Sequence, residues 1–437
     1  MTKPGNSSGT DRRTFLTGAT AAVLGTSLAP AAFASVSPRR KRPLGLALVG
    51  CGGRGSGAAA QALASGSDVR LVAMADAFSD RLESSLGHLT GAAGDRVDVP
   101  PERRFVGFDA YRKAIEVDEV DVVVLATPPG FRPLHFAHAI DVGRHVFMEK
   151  PVAVDGAGVR QVLAAGEVAD AKGLKVGVGL QRHHDPAYQE TVRRLRDGLL
   201  GEPVLYRCYW NSSGVWVRPR EPGQSEMEYQ MRNWYYFNWL CGDHIVEQHI
   251  HNLDVCNWVA GDVPVRAQGQ GGRQVRRGLD HGEIYDHHMV EFTYADGAKM
   301  ISQCRHQPGT WSSVSEHVHG TFGECNVGAG HATGRSGWEW AYEGERVDPY
   351  QAEHDKLFEA IDKDLPHNET ERGAMATMTA ILGRLATYSG REVSMQEALA
   401  SDRSLAPERY AFDAQPPVIP DADGRYPIAV PGQADVI

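Results

Sequence analysis

Between Leu44 and Met148 the chain repeats one pattern of apolar run, turn and helix, and that alternation constrains the fold more than any other feature. Leu44-Gly45-Leu46-Ala47-Leu48-Val49 has the composition of a short strand buried on both faces. Gly50-Cys51-Gly52-Gly53-Arg54-Gly55 follows at once and fits G-x-G-x-x-G. A helix is expected over 58–65, a strand over 69–75, a third strand over 120–126, a helix over 135–142 and a strand over 145–148. Strands alternating with helices bury both faces of a parallel, doubly wound sheet, so residues 44–151 read as a Rossmann domain.

The glycine run carries chemistry only in that setting. Glycines at 50, 52, 53 and 55 let the backbone turn tightly and approach a pyrophosphate, which sits among the free N–H groups of the next helix. Asp76 lies 21 residues beyond Gly55, at the end of the second strand. A carboxylate there accepts hydrogen bonds from ribose hydroxyls and repels a 2′-phosphate, so NAD is preferred over NADP, although Arg81 could shift that preference. A ligand-free surface glycine loop is the bland alternative. Strand, helix and Asp76 in register argue against it.

At 437 residues the chain is too long for one ordinary core. Beyond Pro151 a helix is expected over 159–172, a strand over 174–180 and a helix over 186–197. Strands of antiparallel type then dominate: 204–210, 289–294 and 299–305, with a hairpin turn at Ala295-Asp296-Gly297. Helices return over 354–362 and 372–388. Residues 152–406 therefore read as an α+β domain built on an open, mainly antiparallel sheet, and 407–437 as a Pro-rich tail.

The first 34 residues are not read as fold. Arg12-Arg13 precedes an uncharged, Ala-rich stretch from Thr17 to Ala29, and Ala32-Phe33-Ala34 supplies a small-x-small cleavage site. Together these read as a twin-arginine export signal, with 35–43 as a basic linker and a periplasmic or extracellular destination. A net charge of −10 argues against a nucleic-acid partner. No apolar run outside the N-terminus is long enough for a membrane span. Six scattered cysteines without a C-x-x-C pair read as core residues, with room for one bridge.

Ala126-Thr127-Pro128-Pro129, His135, Gly143-Arg144-His145-Val146 and Glu149-Lys150-Pro151 make the chain resemble the Gfo/Idh/MocA group of glucose–fructose oxidoreductase and inositol dehydrogenase, from about Leu44 to about Tyr388. The resemblance implies that Lys150 lies near the nicotinamide ribose and the substrate hydroxyl, where an ammonium favours alkoxide character. It also implies that Arg54, Thr127, Pro128, His135, Glu149 and Arg182 join the glycines and Asp76 around the cofactor. The family further carries a helix with an acid, a histidine four residues on, and an acid three beyond. Glu247, His251 and Asp254 match that spacing and would share one helix face. The family's first acid is usually aspartate, so the longer Glu247 puts its direct role in question. His251 would be the general acid/base, since its pKa lies near operating pH.

A zinc site from His244, Glu247 and His251 competes with this reading. No H-E-x-x-H pattern supports it and nicotinamide chemistry needs no metal, so none is expected. Arg232 and Trp234, within an aromatic-rich span from Trp210 to Trp239, are further candidates for binding substrate. Aromatic residues there could stack on sugar rings or fill a core.

The expectation is an exported oxidoreductase with tightly bound NAD, or NADP, moving hydride to or from a sugar, polyol or glycoside. Outside the cell no free cofactor pool exists, so reduced cofactor would be reoxidised in place by a second sugar. The resemblance also implies a homodimer or homotetramer. The alternative within the superfamily is an NAD-dependent glycosidase that oxidises transiently, eliminates, adds water and returns the hydride.

Overall fold

The computed structural model describes residues 42–437. The expected export signal and most of the linker lie outside them. The first half is a six-stranded parallel sheet: β1 (Leu44–Val49), β2 (Val69–Asp76), β3 (Arg104–Val106), β4 (Val122–Leu125), β5 (His145–Met148) and β6 (Val176–Val178). The strand order is β3-β2-β1-β4-β5-β6, so the order reverses between β1 and β4. That reversal opens the crevice in which doubly wound sheets bind ligands. Helices α1 (Gly53–Ala64), α2 (Ser79–Ala93), α3 (Ala110–Ile115), α4 (Arg132–Val142) and α5 (Gly156–Ala171) connect the strands. Every residue of β1 and β4 is buried. Each branched side chain so buried contributes about 1.5–3 kcal/mol against an exposed reference.

One boundary shifts. β6 pairs in parallel with β5, so the sheet takes in a strand that the sequence division at 151 assigned to the second domain.

The second half starts with α6 (Pro186–Arg196) and β7 (Pro203–Ser212). Four helices follow: α7 (Glu226–Arg232), α8 (Asn238–Cys241), α9 (His244–Glu247) and α10 (Ile250–Ala260). Next come β8 (Arg266–Gly272), β9 (His287–Thr293), β10 (Lys299–His306), β11 (Ser313–Gly320), β12 (Gly323–Asn326), β13 (His331–Gly334) and β14 (Glu339–Ala341). The chain ends with α11 (Pro349–Lys363), α12 (Thr370–Ser389), β15 (Val393–Ser394), α13 (Met395–Ala400) and a long irregular segment. The nine strands form one open sheet in the order β14-β13-β12-β11-β7-β10-β9-β8-β15. β7 and β10 run parallel, and every other neighbouring pair is antiparallel.

α12 is buried along most of its length between this sheet and the Rossmann half. A Cβ at Gly383 would lie 2.9 Å from the Phe292 ring, so the helix can approach β9 only because that residue is glycine. All six cysteines are buried and unbridged. Among the described residues no helix is long and apolar enough to cross a membrane.

The single helix expected to carry Glu247, His251 and Asp254 is broken. α9 ends at Glu247 and α10 starts at Ile250. The break coincides with a tertiary contact, the buried His249 ring lying 2.8 Å from the Ser302 hydroxyl on β10, while Gln248 and His249 keep right-handed backbone angles. Glu247 thus reaches the site from a separate short turn.

Candidate active site

The glycine loop is shaped by close approach. Gly50 has φ +94°, and a Cβ there would sit 2.5 Å from the Thr127 nitrogen across the β1–β4 crevice. A Cβ on Gly55 would fall 1.9 Å from the Gly50 carbonyl oxygen. Gly52 and Gly53 face open space instead, at the N-terminus of α1. They border a cavity of about 390 Å³ that also takes in Asp76, Thr127, Pro128 and His135. Unpaired helix N–H groups beside bare glycines suit a pyrophosphate.

Asp76 is pinned at both oxygens, accepting from Cys51 N–H at 2.6 Å and Phe78 N–H at 2.9 Å. Burial raises its carboxyl against these donors. Each carboxylate oxygen keeps a further lone pair for a ribose hydroxyl. Arg54 and Glu149 form an ion pair at 2.8 Å, joining the glycine loop to the end of β5. His135 stacks on Tyr111 at 4.0 Å and lies 3.2 Å from the Thr127 hydroxyl, with burial pushing its imidazole well below the usual range.

One residue absent from the sequence reading binds these parts together. Buried Arg132 donates from Nε to the Glu149 carbonyl at 3.0 Å, and from its Nη atoms to the Thr127 hydroxyl and carbonyl. Burial lowers its pKa to about 10. The available signal was an arginine opening the helix after Thr127-Pro128-Pro129-Gly130.

Lys150 follows directly. Its Nζ donates to the Glu247 carbonyl oxygen and stands 3.4 Å from Glu247 Oε1. Burial pushes Glu247 up to about 7 despite the opposing charge of Lys150. His251 is buried one turn further on, stacked on Trp210 at 6.1 Å. Burial, then the charges of Lys150 and Arg182, hold its imidazole well below its usual range. Its Nδ1 has no hydrogen-bond partner among the described residues. Amine and carboxyl thus meet just beyond the carboxyl end of β5, with His251 four residues further along the chain from Glu247.

Four further candidates of the sequence lie as follows. Asp254, expected on one helix face with Glu247 and His251, has its carboxylate 2.8 Å from His183 Nε2, and His183 stacks on Trp258. Arg182 is paired with the buried Glu316, which also accepts from Tyr188 and Asn252, rather than facing the cofactor cavity. Arg232 and Trp234, expected at the substrate, line the cavity together with Asp76. Arg232 holds Asp80 through two bonds of 3.1 Å and lies 4.0 Å over the Phe78 ring. The C-terminal segment closes the same wall, with Phe412 at 4.8 Å from Phe108 and Tyr410 at 5.3 Å from Phe131.

His244, Glu247 and His251, the competing metal set, are not grouped within ligand distance among the described residues. Among the described residues the grouping of metal-ligand type is Asp243, His244 and His288. Its carboxylate is already surrounded. One oxygen accepts from the His244 N–H and lies 2.7 Å from Nδ1; the other accepts from Tyr388 O–H at 2.6 Å and Tyr285 N–H at 3.0 Å and lies 3.2 Å from His288. Although burial alone would raise it, the two histidines hold Asp243 well below the carboxylate range. The carboxylate is thus taken up by these donors, while His244 Nε2 has no hydrogen-bond partner among the described residues.

With this geometry in place, the family models are decisive. The one described as "Oxidoreductase family, NAD-binding Rossmann fold" matches residues 44–180, and the "GFO/IDH/MocA C-terminal domain" matches 188–325. The chain belongs to the Gfo/Idh/MocA oxidoreductase family. The Gfo/Idh/MocA chain is 27% identical over 265 residues to an inositol 2-dehydrogenase of Rhizobium meliloti, covering 60% of this chain and 69% of that protein. It is 32% identical to inositol 2-dehydrogenase 4 of Saccharopolyspora erythraea, over 51% of this chain but only 55% of the relative. Its fold is like that of an aldose-aldose oxidoreductase from Caulobacter crescentus, with TM-score 0.63 and 20% identity, covering 81% of this chain and 100% of that one.

Proposed function

We propose that the chain is an exported oxidoreductase that moves hydride between a ring carbon of a neutral sugar, polyol or glycoside and a tightly held NAD. The observation that carries this reading is the approach of Lys150 to Glu247 at 3.4 Å where the parallel strands end, with His251 four residues beyond Glu247 at the start of α10. The inositol dehydrogenase relatives support the substrate class. Asp76 facing the cavity supports NAD over NADP, and the aromatic wall closed by Tyr410 and Phe412 supports slow cofactor loss. The paired arginines and the Ala32-Phe33-Ala34 segment support export.

The cavity fits the dinucleotide: bare glycines face the helix N-terminus at one place and a carboxylate faces the ribose position at another. When bound, the nicotinamide supplies the hydride acceptor. This chain's residues do the rest. Lys150 directs its ammonium at the alcohol oxygen and stabilises the charge that develops there. His251 accepts the hydroxyl proton. Glu247, as carboxylate, holds the amine and favours the imidazolium formed beside it. Thr127, Arg132 and Glu149 fix Lys150 in place through the backbone.

Incubation of the purified protein with inositols, aldoses and aryl glycosides, followed by mass spectrometry, tests the reading. A keto product supports it. Release of free aglycone without net oxidation points to the transient-oxidation glycosidase, and no change in any sugar refutes both.

A pH dependence follows from Glu247. Its acid form cannot stabilise the cations around it, so kcat/KM for alcohol oxidation should rise as pH climbs through about 7. Glu247→Gln should remove that inflection. An inflection that survives unchanged assigns it to another group.

A further inference from the structure

Several polar atoms on Glu247 and on residues near it have no partner among the described residues: Glu247 Oε2, His251 Nδ1 and the Tyr235 hydroxyl are all buried and unbonded. A fourth follows from proton bookkeeping. Arg276 Nη2 lies 2.7 Å from His306 Nδ1, and a guanidinium can only donate, so Nδ1 accepts. The neutral ring must then carry its proton on Nε2, which lies 2.8 Å from Gln248 Oε1 and donates to it. That bond fixes which end of the Gln248 amide is oxygen. Its NH2 group therefore points away from His306, and it has no partner among the described residues.

Gln248 is placed to use it. It sits at the break between α9 and α10, directly after Glu247, and its own carbonyl accepts from the His251 N–H at 3.4 Å. Tyr235 stacks on His306 at 6.0 Å, and the Glu247 charge reaches its phenol. One amide donor of fixed direction, a rotatable hydroxyl and two unbonded atoms thus lie around Glu247, the partner of Lys150.

We infer that Gln248 is a specificity-determining residue that donates to a second substrate hydroxyl beside the reacting one, with His306 and Arg276 as its positioning residues and Tyr235 completing the subsite. The inference rests on the polyol reading above. It narrows the substrate to a compound with a second hydroxyl beside the reacting one, because an amide NH2 donates a hydrogen bond without carrying charge.

Steady-state kinetics with myo-inositol, D-glucose and their singly deoxygenated analogues test it. Gln248→Leu should raise KM for the best neutral substrate about 10–100-fold while kcat falls by less than about threefold. One deoxy analogue should lose that sensitivity, since the hydroxyl that Gln248 reads is already gone. His306→Leu should give the same KM-weighted loss in smaller measure, and the double variant should be no worse than Gln248→Leu alone. Gln248→Glu keeps the shape but removes the donors, and should behave like Gln248→Leu if folding is intact. KM unchanged within about twofold, or an equal loss on every analogue, overturns the assignment. Turnover of none of the neutral compounds by the parent enzyme overturns the polyol reading itself, and the inference with it.

Discussion

Replacing Lys150 with methionine should lower kcat by about 10²–10³-fold, the range for removing one preorganised group that stabilises developing oxyanion charge. Methionine keeps much of the lysine stem's length and packing, so the loss reports the ammonium. The fold should survive the change for a specific reason. Removing the amine leaves Glu247 without its cation, but burial already lifts that carboxyl to about 7, so it can take up a proton and stay neutral. Dinucleotide binding should also persist, because the glycine loop, Asp76 and Arg54 lie on other elements. Fluorescence titration with NADH beside single-turnover kinetics separates the two effects. Weak dinucleotide binding with an undiminished chemical step would make Lys150 a cofactor anchor instead.

His251→Ala is the second large effect. Proton transfer by a positioned base contributes about 10²–10⁴-fold, so kcat for alcohol oxidation should fall within that range. The neutral imidazole carries no charge that the fold must balance, and its truncation leaves a cavity beside Trp210. Stability should drop by about 2–4 kcal/mol, measurable by urea unfolding. The Lys150→Met/His251→Ala pair should be strongly non-additive, because amine and imidazole act on one alcohol. Full additivity would place them on separate steps.

Much of this was legible from local sequence. β1 and β5 end where their apolar runs end, because strands covered on both faces read as continuous hydrophobic segments. The tight glycine loop and the place of Asp76 at the end of β2 were legible because close backbone approach imposes glycine at fixed spacing after a buried strand. Tertiary contacts hid the rest. β3 is a short edge strand with exposed Arg104 and Val106, so it carries no apolar signature. The break beside the contact of His249 with Ser302 interrupts a helix whose spacing reads as continuous. Asp254 and Arg182 carry the expected chemistry but are claimed by His183 and Glu316, partners 71 and 134 residues away in the chain. Arg232 looked like a substrate residue among aromatics, yet folding brings it onto Asp80 beside the cofactor cavity.

The central claim is that the site converts a carbon–hydrogen bond of a bound polyol into reduced nicotinamide. Mixing the NAD-loaded enzyme with its polyol in a stopped-flow instrument, and following the absorbance of reduced nicotinamide, tests this directly. The account predicts reduction of the bound cofactor within one turnover, slowed several-fold when the carbinol hydrogen is deuterium. Product formed without any reduced nicotinamide, or reduction indifferent to deuterium at every ring carbon even in the slowed Lys150→Met enzyme, would contradict it.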